Sequence, residues 1–491
     1  MNKVSFMELD GIVDVPSVSL PFTVPRDFDW LEISIAFSKK GWYSILIWDA
    51  NDSLIAQSLI LNKPKTIIIS DLSNETSFAA VSGKIIQGTW KIEILTSTYS
   101  DSHQFTVRCN GGVGSTMKEI GGVVWGINGA KNGFELQLYD AEKVFHSGTK
   151  WYKGDFHTHT TESDGKMTPI NGMLQAKKLN LDFFAATDHN ILPTKWVENT
   201  VMVIPGVEIT SSKGHFNAIG LTKWIDWRPT SPDGGMETEA GMNRIIGEVK
   251  AAGAIVSINH PMLKPWEWQF RKTALADIDV IEIWNDPTYK DNPFATEQAL
   301  KLWNTLWNDG HRIYGIGGSD SHLLPTESYE DGGPPSVIGD PASFVYGERL
   351  TARSILEGVK KGNVYVSRGP EFIINIIVNG QSFLPGNDLS GCFKSENEIH
   401  VLYDVIPIRY SENAYIHWIK NGDLTKKEQL QEGEIIQQQF TLKKGEAAWI
   451  RFEVRSNTGE LLSFINPIFS GSKKPDIETW GQLLITTNLT P

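Results

Sequence analysis

Cysteine is nearly absent from this 491-residue chain. The two present, Cys109 and Cys392, fall in different halves and form no Cys-x-x-Cys spacing. They read as buried apolar residues, so neither a disulfide scaffold nor a thiolate metal site is expected. No apolar run approaches membrane-spanning length, and the opening MNKVSFMELDGIVDVPSVSL has no continuous hydrophobic segment of a signal peptide. The expected compartment is therefore the cytoplasm, with no membrane partner. Basic residues are not in excess either: 45 Lys+Arg against 58 Asp+Glu leave a formal net charge of -13. That balance disfavours a nucleic-acid partner, which calls for a basic surface. It does not exclude a small anionic substrate, because bound cations can reverse the local field. Internal repeats and low-complexity tracts are missing, and no Ser-His-Asp or Cys-His arrangement suggests a covalent intermediate.

What is present is a soluble composition, 40% hydrophobic and 21% charged, in a chain long enough for about three domains. From 1 to about 150 the runs WLEISIAF, WYSILIWDA, SLIAQSLIL and TWKIEILT are short, β-branched and aromatic, parted by turn residues. They predict an N-terminal β-sandwich. From 151 to 370 apolar runs alternate with the helical patterns PINGMLQAKKLN, TEAGMNRIIGEVKAAG, ATEQALKLWNTLWNDG and TARSILEGVKKG. Such alternation predicts a parallel sheet or barrel with helices outside. Short strands return in FIINIIVNG, HVLYDVIPI, YIHWIKNG and AWIRFEVRSN, predicting a second β-sandwich over 371–491.

The middle region carries the chemistry. In GDFHTHTTESDGK, His157 and His159 stand at i and i+2, a spacing that points both rings to one side of an extended chain, and Asp164 follows in a turn. Other apolar runs end in the same currency: Asp188 and His189 after LDFFAAT, Glu208 in VMVIPGVEIT, His215 opening GHFNAIGL, His260 closing AIVSINHP. Asp320 and His322 close RIYGIGGSDSH and repeat the i, i+2 spacing. Residues at the C-terminal ends of parallel strands form the functional face of α/β folds. Nine nitrogen and oxygen ligands exceed the four to six of one transition ion and suit two or three divalent ions. With no sulfur among them, Zn, Mn and Fe are all admissible.

The motifs HTH, SDG, TDH, GVE, NHP and SDSH resemble those of the PHP (polymerase and histidinol phosphatase) superfamily, and the likeness covers roughly 151–370. The leading β region and the SRGP and NPI segments are similar to the carbaryl hydrolase branch of that superfamily. The resemblance implies a distorted β/α barrel flanked by β-sandwiches, and a trinuclear site. It implies that His157, His159, Glu208 and Asp320 hold one ion, that Glu208 bridges to a second held by His215 and His260, and that Asp164, His189 and His322 hold a third.

The expected reaction is metal-assisted hydrolysis by a hydroxide bridging two ions, held by Glu208 and the other ligands. The expected substrate is a small phosphate ester, with a carbamate or carboxylic ester as the alternative; a non-catalytic binding or scaffold protein is the reading from another class. Asp188 is a candidate to orient a ligand imidazole, and Arg368, in SRGP, to bind a substrate anion. Lys264 and Arg271 are weaker anion candidates. Of the 17 tryptophans, Trp224, Trp227, Trp266 and Trp268 stand in loops near the expected mouth. The partner expected is a small-molecule substrate; no sequence signal specifies an oligomeric state.

Overall fold

The computed structural model describes residues 3–97, 102–127, 134–198, 200–409, 413–431 and 433–489. The chain is a mixed α/β protein built largely of sheet. Two four-stranded antiparallel sheets open it. One has the spatial order Val4–Val13, His103–Gly112, Trp30–Phe37, Lys65–Ser70; the other runs Ser17–Val24, Gly88–Thr96, Tyr43–Trp48, Leu54–Ile60. Alternate residues such as Ile33, Ile35, Ile45, Ile47, Ile92 and Ile94 point inward and are fully buried, as a strand period of two requires.

The middle of the chain supplies nine strands of a 14-stranded sheet. Four pairings there are parallel: His146–Asp155 with Phe183–Ala186, Phe183–Ala186 with Met202–Ser211, Ile255–Ile258 with Val280–Asn285, and Val280–Asn285 with Tyr314–Gly318. The sheet is not parallel throughout, which corrects the simplest reading of the strand–helix alternation. Met202–Ser211 folds straight back on Gly214–Ile219 through a tight turn in which Gly214 takes φ 122°, and that strand pairs antiparallel with Ile255–Ile258. A hairpin connection of two residues leaves no room for a crossover helix, so the local direction must reverse. At the other side His146–Asp155 pairs antiparallel with Ala342–Leu350.

The four helices expected from the sequence form as Pro169–Lys178, Glu239–Ala251, Asn292–Asp309 and Ala352–Lys360. Asn292–Asp309 shows why: Ala295, Ala299, Leu302, Trp303 and Leu306 lie on one buried stripe, and the helix stops at Gly310, whose φ of 107° suits glycine alone. Thr168, Thr238 and Thr351 cap the other three by accepting a backbone N–H.

The large sheet continues past residue 370. Val364–Ser367 pairs with Leu461–Ile465, which leads on to Ala448–Ser456, Ala414–Lys420 and Asp423–Gln429. A separate four-stranded sheet, Gln381–Phe383, Glu371–Val378, Glu398–Arg409 and Ile436–Lys443, shares a core with these strands through Phe372, Ile376, Tyr403, Trp418 and Phe452. One element there departs from the all-β expectation: Trp480–Thr487 is helical. Its start is a capping box, Thr479 with Gln482, a T-x-x-Q signature present in the sequence. Among the described residues no helix is long and apolar enough to cross a membrane.

Candidate metal centre and active site

The topology aims one set of strand ends at a common point. His157 and His159 lie just past His146–Asp155, His189 just past Phe183–Ala186, His260 just past Ile255–Ile258, and Asp320 and His322 just past Tyr314–Gly318. Glu208 sits within Met202–Ser211. His215 joins from the start of the reversed strand, because the hairpin places it opposite Thr210 and so at the same end of the sheet. A parallel bridge from Thr158 to Ser321, with the Asp320 N–H donating to the His157 carbonyl at 2.9 Å, ties the two His-bearing segments together.

All nine residues meet. Their potential ligand atoms fall into four overlapping groups, each within 4.8 Å: His159, Asp164, His189 and His322; His157, His260 and Asp320; His157, His159 and Glu208; His189, Glu208 and His215. Glu208 is the hub, its side chain lying within 3.5 Å of His157, His159, His189, His215 and His260. Asp320 Oδ1 stands 3.2 Å from His157 Nε2 and 2.9 Å from His159 Nε2. Asp164 Oδ1 stands 3.4 Å from His189 Nε2 and 3.1 Å from His322 Nε2.

Hydrogen bonds around the rim set which nitrogen faces inward. His322 Nδ1 is 2.7 Å from the Asp320 carbonyl oxygen, which can only accept, so Nδ1 donates there and Nε2 is the nitrogen that faces Asp164 in the site. His157 Nδ1 donates to Glu282 Oε1 at 3.0 Å, which leaves its Nε2 facing inward. His189 Nδ1 lies 2.6 Å from Thr210 Oγ1. Inside, His157 Nε2, both ring nitrogens of His159, His260 Nδ1 and Glu208 Oε2 are buried with no hydrogen bond of sound geometry. Leaving such atoms unmatched is costly, about 1–3 kcal/mol each for uncharged groups. Lone pairs from imidazole and carboxylate, gathered without sulfur, are the donor set that fits divalent transition ions.

The electrostatics divide sharply across a few ångströms. Burial drives the Glu208 carboxyl pKa up, but the charges of His157, His189 and His215 outweigh it and hold that pKa well below the usual range. Asp320 is held low in the same way by His157, His159 and His322. His322 is pushed up to about 10, since Asp164 and Asp320 overcome the cost of burial. His159 goes the other way, to about 4, under burial and the neighbouring His322 and His189. The carboxylates are thus ionised, as ligands must be. The backbone is strained at two of the nine positions, His260 (φ 27°) and Asp320 (φ 48°), a cost that functional sites tolerate.

Four expectations from the sequence are corrected by the structure. Asp188 does not orient an imidazole: its carboxylate accepts from Thr160 N and Oγ1 and from Ser163 N and Oγ, so it holds the loop that carries Asp164. Arg368 does not line the cavity over the site; it pairs with Asp340 and Glu460. Of the four loop tryptophans only Trp266 lines that cavity. Trp268 is fully buried against Phe216 and Phe270, and Trp227 is buried against Trp224. Lys264 and Arg271 are exposed and do not line it either.

Sequence reasoning missed several functional positions. Glu282, in VIEIWN, is the acid behind His157, and its other oxygen accepts from His260 N at 2.9 Å. A lone glutamate in an otherwise apolar strand was the available signal. Asn259 donates to Glu208 Oε1 at 2.8 Å. The cavity itself, about 900 Å³, opens over Asp164, His189, His215, His260, Asp320 and His322. Part of its wall is Pro16, Trp42, Ser44 and Leu95 from the first β region, and no local motif signals their presence.

No family model matches the chain, and no curated protein does. Among solved structures it is similar to a candidate metal-dependent phosphoesterase from Bifidobacterium adolescentis (19% identity, 42% of this chain and 95% of that one, TM-score 0.27). It is also similar to an amidohydrolase from Chromobacterium violaceum (13% identity, 36% and 89%, TM-score 0.22) and to a CBM4 structure (12% identity, 20% and 78%, TM-score 0.14). At such scores these likenesses carry no weight for activity, which has to be argued from the site.

Proposed function

We propose that this chain is a metal-dependent hydrolase of the PHP superfamily, with a distorted barrel over 151–370 between a β-sandwich at 1–150 and another at 371–491. It acts on a small phosphate ester. The observation that carries the reading is the meeting of six imidazoles and three carboxylates, several with buried, unmatched lone pairs, at the floor of a substrate-sized cavity. Decayed sites lose such groups first, and the cost of burying them unmatched argues against a scaffold role.

The residues that would hold two to three ions of Zn, Mn or Fe are His157, His159, Asp164, His189, Glu208, His215, His260, Asp320 and His322. Divalent ions there would acidify water to a pKa near ~7 and polarise the scissile group. The chain supplies the rest. Glu208, ionised and central, fixes its neighbours in register. Glu282 holds His157 with Nε2 facing inward, and Thr210 braces His189 at Nδ1. Asn259 keeps one Glu208 oxygen engaged, and the strained backbones of His260 and Asp320 lock two donors at the floor.

A second reading, cleavage of a carbamate or carboxylic ester, is favoured by one observation: Trp42, Trp266, Tyr289 and Tyr329 line the cavity, which suits an apolar leaving group, and Arg368 does not. The test is kcat/KM for phenyl phosphate against phenyl N-methylcarbamate with the same metal loaded. The phosphoesterase reading expects the phosphate to be preferred. Carbamate cleavage at least tenfold more efficient, about 1.4 kcal/mol in transition-state stabilisation, overturns it.

A further inference from the structure

We infer that the group released from the substrate is an aromatic ring without negative charge, best with a cationic or hydrogen-bond-donating substituent, and that Asp286 sets this preference. The inference rests on the metal-dependent reading above and concerns the wall beside the metal centre. Trp266 packs edge-on against Tyr289 (centroids 6.0 Å apart, 64°), and Tyr289 against Tyr329 (5.3 Å, 81°), so three rings make one continuous face of the cavity. Trp266 and Tyr329 remain 39% and 38% exposed, apolar surface that a bound ring would cover.

Next to this face lies Asp286, 2% exposed yet lining the cavity. Its oxygens accept from Thr288 N, Thr288 Oγ1 and Ser336 Oγ, all neutral donors, so the carboxylate is held in position without a counter-ion in these bonds. A second acid, Glu237, also lines the cavity outside the nine, and the described lining residues include no Lys or Arg. Charge on the scissile group would be met by the ions that the nine residues would hold. A negative charge on the distal part of the substrate would instead face Asp286 in a partly desolvated setting, where like charges repel strongly. An ammonium or hydroxyl there would find both the carboxylate and an aromatic face.

The experiment uses metal-loaded full-length protein and three non-hydrolysable ligands: 4-methylbenzylphosphonate, its 4-carboxy analogue and its 4-aminomethyl analogue, titrated by calorimetry. The expected order of affinity is aminomethyl, methyl, carboxy, with the carboxylate at least tenfold weaker than the methyl compound. In Asp286→Asn the spread should collapse to under threefold. Trp266→Ala, at an exposed position, should weaken all three by about three- to tenfold and keep their order. Equal or tighter binding of the carboxylate, an order unchanged in Asp286→Asn, or no binding of any of the three overturns the inference. Failure of the two readings is separable: no turnover of any ester with the affinity order intact refutes the hydrolase, whereas brisk turnover with no charge preference refutes only the role of Asp286.

Discussion

The metal centre and the junction of helix Asn292–Asp309 with strand Ala448–Ser456 both bury ionisable side chains, and they do so in opposite ways. At the junction Arg451 is 1% exposed, but its Nη1 donates to Glu453 Oε1 and its Nη2 to Asn304, while Arg455 spans Glu453 and Glu297. Arg451 Nε has no hydrogen-bond partner, and the guanidinium lies over the Trp303 ring at 4.8 Å. Cations and carboxylates there match one another within the chain. At the metal centre three carboxylates face six imidazoles; ring nitrogens of His157, His159 and His260 are buried without a partner, while His157, His189 and His322 are each tied through Nδ1. A buried cluster whose charges pair off is structural; one that gathers several unmatched imidazole and carboxylate lone pairs is suited to something that comes from solution.

The largest effect that could break this contrast is at Asp320. Asp320→Ala removes an oxygen that two imidazoles share, and we expect at least about a thousandfold loss of kcat/KM, roughly 4 kcal/mol, with the far-ultraviolet circular dichroism of the parent. Unchanged turnover would take Asp320 out of the site. Glu453→Gln is the counterpart in the structural cluster. It leaves the buried Arg451 guanidinium without its carboxylate, while Arg455 keeps Glu297, and should cost about 3–5 kcal/mol in denaturant unfolding, with kcat within about twofold of the parent. A large kcat loss at full stability would erase the distinction between the clusters.

Glu282→Gln sharpens the boundary of the metal centre. Its carboxylate fixes His157 and the His260 backbone without facing the cavity floor, so metal affinity should fall about 10- to 100-fold while the fold persists. The measurement is competition against a chelator of known affinity, and an unchanged affinity would make Glu282 a bystander. The smallest effect is expected at Arg368. Arg368→Ala should lower kcat/KM less than about threefold and stability by no more than about 1 kcal/mol, because its partners Asp340 and Glu460 hold it away from the cavity. A loss of two orders of magnitude would return it to the substrate-binding role its SRGP setting suggested.

Most of the nine converging residues were legible because they close or open an apolar run, and two pairs share an i, i+2 spacing; strand polarity brings those to one end of a sheet, whereas Asp164 arrives on a turn and His215 through the hairpin. The N-terminal strands were legible from their alternation, and the helix at 292–309 from its stripe of alanine, leucine and tryptophan. The antiparallel return at Gly214 was harder, since a two-residue turn looks like any loop until the hairpin register is known. Trp42 and Asp286 could not be assigned to the cavity, because their places depend on how distant elements pack and no local pattern encodes that. Trp268 failed for the converse reason: a loop tryptophan beside a histidine motif resembles a pocket residue, yet here it fills a gap against Phe216 and Phe270.

The measurement that bears most directly on the central claim is the metal content of the full-length protein, reconstituted with Zn, Mn or Fe, freed of loose ions by gel filtration and analysed by inductively coupled plasma mass spectrometry beside Glu208→Ala. The account predicts two to three equivalents per chain in the parent, at least one fewer in the variant, and loss of hydrolysis when a chelator strips them. One equivalent or none in the parent, or a variant that binds as much as the parent, would contradict it.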